Sequence, residues 1–305
     1  MRISVVIPTH FRPNTLCRAI DSVLSQTYPV DEVIVISDGV DPLTTDIVNR
    51  YKRNDDKVIY VEFPTPRGAN CARNVGVSLA SGDWIAFLDD DDEWQCSKIE
   101  SQVRAINENP GIGIVWTGVR QIYSELGVSY DSLPSISSSG KVSDILIKNY
   151  IGTTSSVLLK KDVFREAGGF DEELPALQDY DLWIRVVQIT RGIAVPSAEV
   201  LYYCSFSSNQ ISASSERYEL SFRIIGHKYR EQIGCLSDSE KLERSVSIVR
   251  VLLEKKMRSN DKTGRVELLK ELVSLKPILG IEYAVASLIP YRILLKIRAL
   301  RTVRL

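Results

Sequence analysis

An α/β fold is predicted for this chain: a mostly parallel sheet flanked by helices, with a helical C-terminal extension. Three observations predict it. Short β-branched runs alternate with helix-length segments from residue 3 to residue 117, and the connections between them are short. After about Ser212 the strand signals stop and a helical periodicity rich in Lys, Arg and Glu takes over.

Taken in order, residues 3–7 (ISVVI) are continuous and β-branched, as expected of a strand buried on both faces. Residues 14–26 follow as a helix, 32–37 as a strand, 44–53 as a helix and 58–62 as a strand. Residues 69–80 form the next helix and 84–88 (WIAFL) the next buried strand, followed by a helix at 98–109 and a strand at 113–117. The stretch 124–140 is rich in Ser, Gly and Pro and reads as a loop or lid. A strand at 155–159, a short helix at 162–167 ended by Gly168-Gly169, a helix at 179–188 and a strand at 200–204 complete the first unit, residues 1–212. Residues 213–305 form the second, helical unit.

With 305 residues, 44% hydrophobic, 25% charged and a net charge of −1, the composition is that of an ordinary globular protein. It gives no global basic field for nucleic acid. Five cysteines without a CxxC pair suit a reducing cytosol, and two histidines make a His/Cys zinc site unexpected. The N-terminal apolar run is too short for a signal peptide, so a cytoplasmic location is expected. The last thirty residues set Lys276, Arg292, Lys296, Arg298, Arg301 and Arg304 against Glu282 alone, with apolar residues between them. Such a segment, 276–305, suits either peripheral contact with an anionic membrane face or a helical cap on the core.

The most informative feature is Asp89-Asp90-Asp91-Asp92, directly after the apolar run 84–88. Open α/β sheets bind ligands at the carboxyl ends of their strands. Hard divalent cations such as Mg2+ or Mn2+ take oxygen ligands, often one or two carboxylates plus substrate phosphates. In extended chain Asp89 and Asp91 would share one face and Asp90 and Asp92 the other. Three further segments fall at strand ends. Pro8 and Thr9 lie where the first strand turns, and Asp38, on a Gly turn, can accept hydrogen bonds from a base or ribose, whereas Asp41 suits a helix N-cap. Arg67 and Arg73 lie in a segment opening a helix, where an anion can be met.

In order, VIPTHFR, SDG, RGANCARNVG, SGDWIAFLDDDDEW and GGFDEELPALQDYDLWIRV resemble family 2 glycosyltransferases of the GT-A fold, over residues 1–212. The resemblance implies transfer of a sugar from a nucleotide-diphosphate donor, most often a UDP-sugar, to an acceptor hydroxyl with inversion, using Mg2+ or Mn2+. It places Asp38 near the base, Arg67 or Arg73 against the donor, Asp89 toward the ribose, Asp91 on the metal with Asp89 as its companion, and Asp90 within reach of the donor. It makes Asp179 the catalytic base, ionised at a helix start. The sequence departs from the family pattern at Ser37, Gln178 and Ser207, the last where relatives often carry a metal-binding His. The Q-x-x-R-W motif of processive synthases is absent, which favours single-sugar transfer to a saccharide or lipid-linked saccharide, as in bacterial surface polysaccharide synthesis. The competing readings are a sugar nucleotidyltransferase, which lacks its Gly-rich triphosphate loop here, and a silent nucleotide-sugar-binding module.

Overall fold

The computed structural model describes residues 1–134, 142–204, 206 and 214–302. Strands β1 (Ile3–Thr9), β2 (Glu32–Ser37), β3 (Val58–Glu62) and β4 (Trp84–Phe87) alternate with helices α1 (Pro13–Leu24), α2 (Pro42–Asn54) and α3 (Ala69–Leu79). These four strands are parallel, in the order β3-β2-β1-β4. Then come β5 (Glu93–Trp94), α4 (Lys98–Glu108), β6 (Ile112–Tyr123), β7 (Val128–Ser132), α5 (Val142–Ile147), β8 (Val157–Lys160), α6 (Lys161–Glu166), α7 (Gln178–Ile189) and β9 (Arg191–Tyr203). Beyond β4 the sheet becomes mixed: β8 is antiparallel to both β4 and β6, while β9 runs parallel to β6.

The side-chain alternation of the strands divides the core into two layers. Ile3, Val5 and Ile7 of β1 and Val33 and Val35 of β2 pack with α1 and α4. Val6, Ile34 and Ile36 face the other way, onto α3, α6 and α7. All of these β1 and β2 residues are fully buried. That is why the sequence shows continuous rather than alternating apolar strands. Burial of each such side chain contributes at most about 1.5–3 kcal/mol. Helix α3 lies so close to β1 that a Cβ at Gly76 would stand 2.4 Å from Val6 Cγ1.

Several expected elements differ. Residues 128–132, assigned to a loop or lid, form β7, which pairs antiparallel with β6. The rest of that stretch, from residue 135, lies outside the described residues. Strand β9 begins at Arg191 rather than near residue 200, and β6 extends to Tyr123. Residues 154–156 form a 3₁₀ turn ahead of β8. Pro8 belongs to β1 itself, at a point where pairing with β4 has ended and pairing with β2 continues.

The C-terminal part comprises α8 (Ser215–Lys228), α9 (Arg230–Gly234), α10 (Asp238–Arg258), α11 (Arg265–Leu275), α12 (Pro277–Ser287) and α13 (Tyr291–Thr302). Ser237 and Glu240 form a reciprocal capping box that starts α10. Ile225, Tyr229 and Leu236 join the core layer beneath α3 and α7. Leu295 of α13 is buried against Tyr123 and Cys204. Ile278, Ile281 and Val285 of α12 remain exposed, as does Leu288 directly after it. No single described helix is long and apolar enough to cross a membrane, and the α12–α13 pair is bent by 115°.

Candidate active site

The acidic run begins as β4 ends. Leu88 N–H still donates to Val6 O at 3.1 Å, but the chain then turns, Asp92 N–H donating to Asp89 O at 3.0 Å. The run is therefore a turn and not the extended chain on which the expected alternation was based. Asp89 Oδ1 accepts from Arg73 Nη2 at 2.5 Å. Asp90 is buried and accepts from Thr9 Oγ1 at 2.8 Å and from Arg12 Nη1 at 3.0 Å. The same Arg12 nitrogen donates to Asp91 Oδ2 at 2.7 Å. Asp92 is fully buried beneath the turn, accepting from Ser155 Oγ at 2.6 Å. Asp89 and Asp91 are the two carboxylates that keep appreciable exposure, at 28% and 29% of the side chain.

The electrostatics follow from this packing. Burial pushes the Asp90 carboxyl up to about 6, with Arg12 opposing and Asp91 adding to the rise. Burial and the Asp89 charge raise Asp91, again against Arg12. Asp92 is raised well above the carboxylate range by burial and by its three acidic neighbours. A cluster that resists ionisation in this way gains from any added positive charge. Among the described residues no three His, Cys, Asp or Glu side chains converge as a ready-made metal cage.

Asp38 is buried, and its carboxylate accepts from the backbone N–H groups of Arg67 at 2.5 Å and Gly68 at 2.9 Å. It thereby fixes the loop that opens α3, in which Gly68 takes φ +93°. The hydrogen-bonding capacity expected to meet a base or ribose is thus already used in part by the protein. Asp41 caps α2, accepting from Leu43 N–H and from Thr44 Oγ1 at 2.6 Å. Ser37 is buried and donates to Gly39 O. Arg67 is exposed and lies over the Phe63 ring at 5.2 Å, away from the acidic turn, so Arg73 is the arginine of that segment which meets the acids.

Helix α3 joins two parts of the site. Arg73 reaches Asp89, while Asn70, three residues before it, and Asn74, the next residue, grip the Gly169–Glu172 loop. Asn74 Nδ2 donates to Phe170 O at 3.0 Å and its Oδ1 accepts from Phe170 N–H at 2.9 Å. Asn70 Nδ2 donates to Asp171 O at 2.9 Å. Sequence reasoning missed Arg12, Asn70, Asn74 and Ser155. The asparagine spacing of four along one helix face was the available signal for the clasp.

The clasped loop leads to α7. Leu177 precedes it in the left-handed region, φ 59° and ψ 27°, a conformation that costs a branched residue about 1 kcal/mol or more. Gln178 and Asp179 open the helix, and the Gln178 amide folds back onto Leu174 O. Asp179 lines a cavity of about 860 Å³ whose wall also includes Asp89, Arg73, Tyr218 and Lys255. Its Oδ1 accepts from Tyr180 N–H at 2.7 Å. The helix start was expected to keep Asp179 ionised. Burial raises its carboxyl to about 6, against the Tyr180 N–H and Arg73, which still leaves it mostly ionised at neutral pH. Two residues on, Asp181 is fully buried and holds Arg185, Lys228 and Tyr229 together, a structural role. Ser207 lies outside the described residues.

Comparison with known proteins matches this architecture. The glycosyl transferase family 2 model matches residues 4–168. An uncharacterized glycosyltransferase of Haemophilus influenzae is 28% identical over 70% of this chain and 71% of its own length. One from Rickettsia felis is 31% identical, but the chain spans only 39% of its length. The Escherichia coli UDP-Glc:alpha-D-GlcNAc-diphosphoundecaprenol beta-1,3-glucosyltransferase WfaP is 27% identical over 77% of this chain and 90% of its own. Among solved structures, S. aureus TarS 1-349 with UDP-GlcNAc aligns at TM-score 0.62 and 16% identity, covering 90% of this chain and 81% of that one. The Pyrobaculum calidifontis mannosyltransferase PcManGT with GDP-Man and Mn2+ aligns at TM-score 0.60 and 16% identity, covering 98% and 87%. With a GT-A sheet carrying an acidic turn at the end of β4 and a half-buried aspartate across the cavity, the chain belongs to glycosyl transferase family 2 and is a glycosyltransferase.

Proposed function

We propose that the chain transfers a single sugar from a nucleoside-diphosphate donor, most simply a UDP-sugar, to an acceptor hydroxyl with inversion at the anomeric carbon. The carrying observation is Asp179, raised to about 6 by burial and facing the same cavity as Asp89. A carboxylate of that basicity is matched to removing a hydroxyl proton near neutral pH. As Asp179 takes the proton, the acceptor oxygen bonds to the anomeric carbon and the bond to the nucleoside diphosphate breaks on the opposite face, its electrons leaving with the phosphate.

The chain's other residues position these partners. Thr9 and Arg12 hold Asp90, Asp38 fixes the Arg67–Gly68 backbone, and Arg73 holds Asp89. The turn offers only oxygen ligands, two of them partly exposed, and its raised carboxyls favour a cation, so the donor set fits Mg2+ or Mn2+. Asp89 and Asp91 would hold that ion, which would neutralise charge on the departing diphosphate. PcManGT, solved in complex with GDP-Man and Mn2+, supports this reading; the UDP-GlcNAc complex of TarS supports a UDP-sugar donor, and the activity named for WfaP supports a role in polysaccharide synthesis.

Two substitutions test the assignment. Asp179→Asn should lower kcat by roughly 10²–10⁴-fold with little change in nucleotide affinity, whereas Asp91→Ala should weaken Mn2+-dependent nucleotide binding in calorimetry. Equal loss of donor binding in both would overturn it. The exposed apolar side chains of α12 and its C-terminal end, Ile278 at 79% and Leu288 at 83% exposure, support peripheral contact with an anionic membrane on the cytoplasmic side. Ile278→Ser/Leu288→Ser should then reduce co-sedimentation with anionic vesicles. If the unsubstituted protein fails to sediment at low salt, the membrane reading falls.

A further inference from the structure

A second arginine grips the acidic turn, through its backbone. Arg18 of α1 donates from Nη2 to the backbone oxygen of Asp91 at 2.8 Å. Its guanidinium lies over the Tyr203 ring at 3.7 Å. Arg18 Nε stands 3.6 Å from Glu93 Oε2, and the same carboxylate oxygen accepts from Tyr203 Oη at 2.8 Å. Arg18, Glu93 and Tyr203 thereby tie α1, β5 and the end of β9 to the turn. The arrangement has a cost, since Arg18 Nε is buried without a hydrogen-bond partner among the described residues. An arginine serving only as surface cover would turn that nitrogen to water.

The peptide joining Asp91 to Asp92 is planar and is pinned at both ends: Asp92 N–H donates to Asp89 O at 3.0 Å, and Asp91 O accepts from Arg18. That fixes the backbone beside the Asp91 Cα, and so the direction in which its carboxylate leaves the chain. Arg12 holds the same residue by its carboxylate, Nη1 donating to Oδ2 at 2.7 Å. The two grips differ in what they leave free. A divalent cation on Asp91 competes with Arg12 for the carboxylate and repels its guanidinium. The Arg18 bond uses only the backbone oxygen, and among the described residues Arg18 makes no hydrogen bond to any carboxylate of the turn.

We propose that Arg18 is a positioning residue for the metal-loaded site: through the Asp91 backbone it keeps the Asp91 carboxylate aimed once a divalent cation has drawn that carboxylate away from Arg12. The proposal rests on the metal-dependent transfer reading above and adds the residue that holds the ligand in place. Tyr203 is the platform for Arg18, because a planar guanidinium stacks on an aromatic face.

The test is calorimetric titration of the full chain with UDP, GDP and dTDP, each in Mn2+ and in EDTA, on the parent, Arg18→Met, Arg18→Lys and Tyr203→Leu. Arg18→Met should lose roughly tenfold or more of the nucleotide affinity measured in Mn2+ and little of that measured in EDTA, because the charged hydrogen bond it removes supports only the metal ligand. Arg18→Lys still carries a donor for the Asp91 oxygen but stacks less well, and should fall between. Tyr203→Leu removes the platform and should shift affinity in Mn2+ in the same direction; it serves if Arg18→Met is unstable. Mn2+ with nucleotide should raise the melting temperature of Arg18→Met less than that of the parent, the reverse of an Arg12 variant, in which the ion replaces a lost charge. Unchanged affinity in Mn2+ for a folded Arg18→Met, or an equal loss in Mn2+ and in EDTA, overturns the proposal and leaves the transferase reading standing. A parent that binds no nucleotide in either buffer, or binds equally in both, overturns the metal-dependent reading and the proposal with it.

Discussion

Replacing Arg12 should expose how the acidic turn is held. One Arg12 nitrogen serves Asp90 at 3.0 Å and Asp91 at 2.7 Å, so Arg12→Ala leaves two adjacent carboxylates facing each other. Breaking a fully buried pair costs about 3–5 kcal/mol and a surface pair about 0–1. Here Asp90 is only 7% exposed but Arg12 is 42% exposed, which places the loss between these limits, at roughly 1–3 kcal/mol. At roughly 2–4 °C per kcal/mol for a domain of this size, about 2 kcal/mol lowers Tm by about 4–8 °C at pH 7.5. The sign with pH is set by Asp90, whose carboxyl already stands at about 6 and rises further without Arg12. A carboxyl raised in the folded state costs stability as pH climbs through that range, so the deficit should shrink at pH 5. Mn2+ should restore more of the Tm in the variant than in the parent, because the ion replaces the missing charge. Thermal melting at two pH values, with and without Mn2+, measures all three. A deficit equal at both pH values and indifferent to Mn2+ would show that Arg12 acts through packing alone and refute the reasoning.

Asp179 gives a second pH signature: kcat/KM should fall about tenfold per unit below pH 6, with that limb gone from the residual activity of Asp179→Asn. Since its raised carboxyl destabilises the folded state as pH rises from about 4 to 6, Asp179→Asn should raise Tm at pH 8, by the equivalent of up to about 3 kcal/mol, and not at pH 4. Asn74→Ala removes both hydrogen bonds to the Phe170 backbone and should cost about 1–3 kcal/mol in denaturant unfolding, with kcat falling more than nucleotide affinity. At Gly280 a Cβ would stand 2.5 Å from the Val273 backbone, where α11 crosses α12. Gly280→Ala should therefore cost about 1–3 kcal/mol and raise hydrogen exchange in α11 and α12, while nucleotide binding stays intact.

The parallel half of the sheet was legible because strands buried on both faces read as unbroken apolar runs. The second half was harder for local reasons. Residues 128–132 are mostly polar, since β7 pairs only with β6 at the side of the sheet, and they read as loop. In β9 the register jumps from Thr117↔Val195 to Gly118↔Ala198, so Pro196 sits in a bulge and breaks the strand pattern where the strand continues. Within the site, the acids and Asp179 could be named from motif order, but their partners could not. Arg12 and Asp90 are 78 residues apart and Asn74 and Phe170 are 96 apart, separations that no local pattern encodes. The raised carboxyl of Asp179 was equally invisible, because it comes from the surrounding protein and not from the helix start.

The two grips of α3 carry a consequence for how this enzyme can diversify. A helix barely three turns long fixes the spacing between Asp89 in the acidic turn and the loop that leads to Asp179, much as a spacer bar fixes the jaws of a vice. Sugar and acceptor preference can drift through side chains on the cavity's outer wall without touching that bar. A change in α3, by contrast, shifts both jaws together, so reactivity toward every donor and acceptor should be lost in parallel, and specificity should evolve from the C-terminal helices inward.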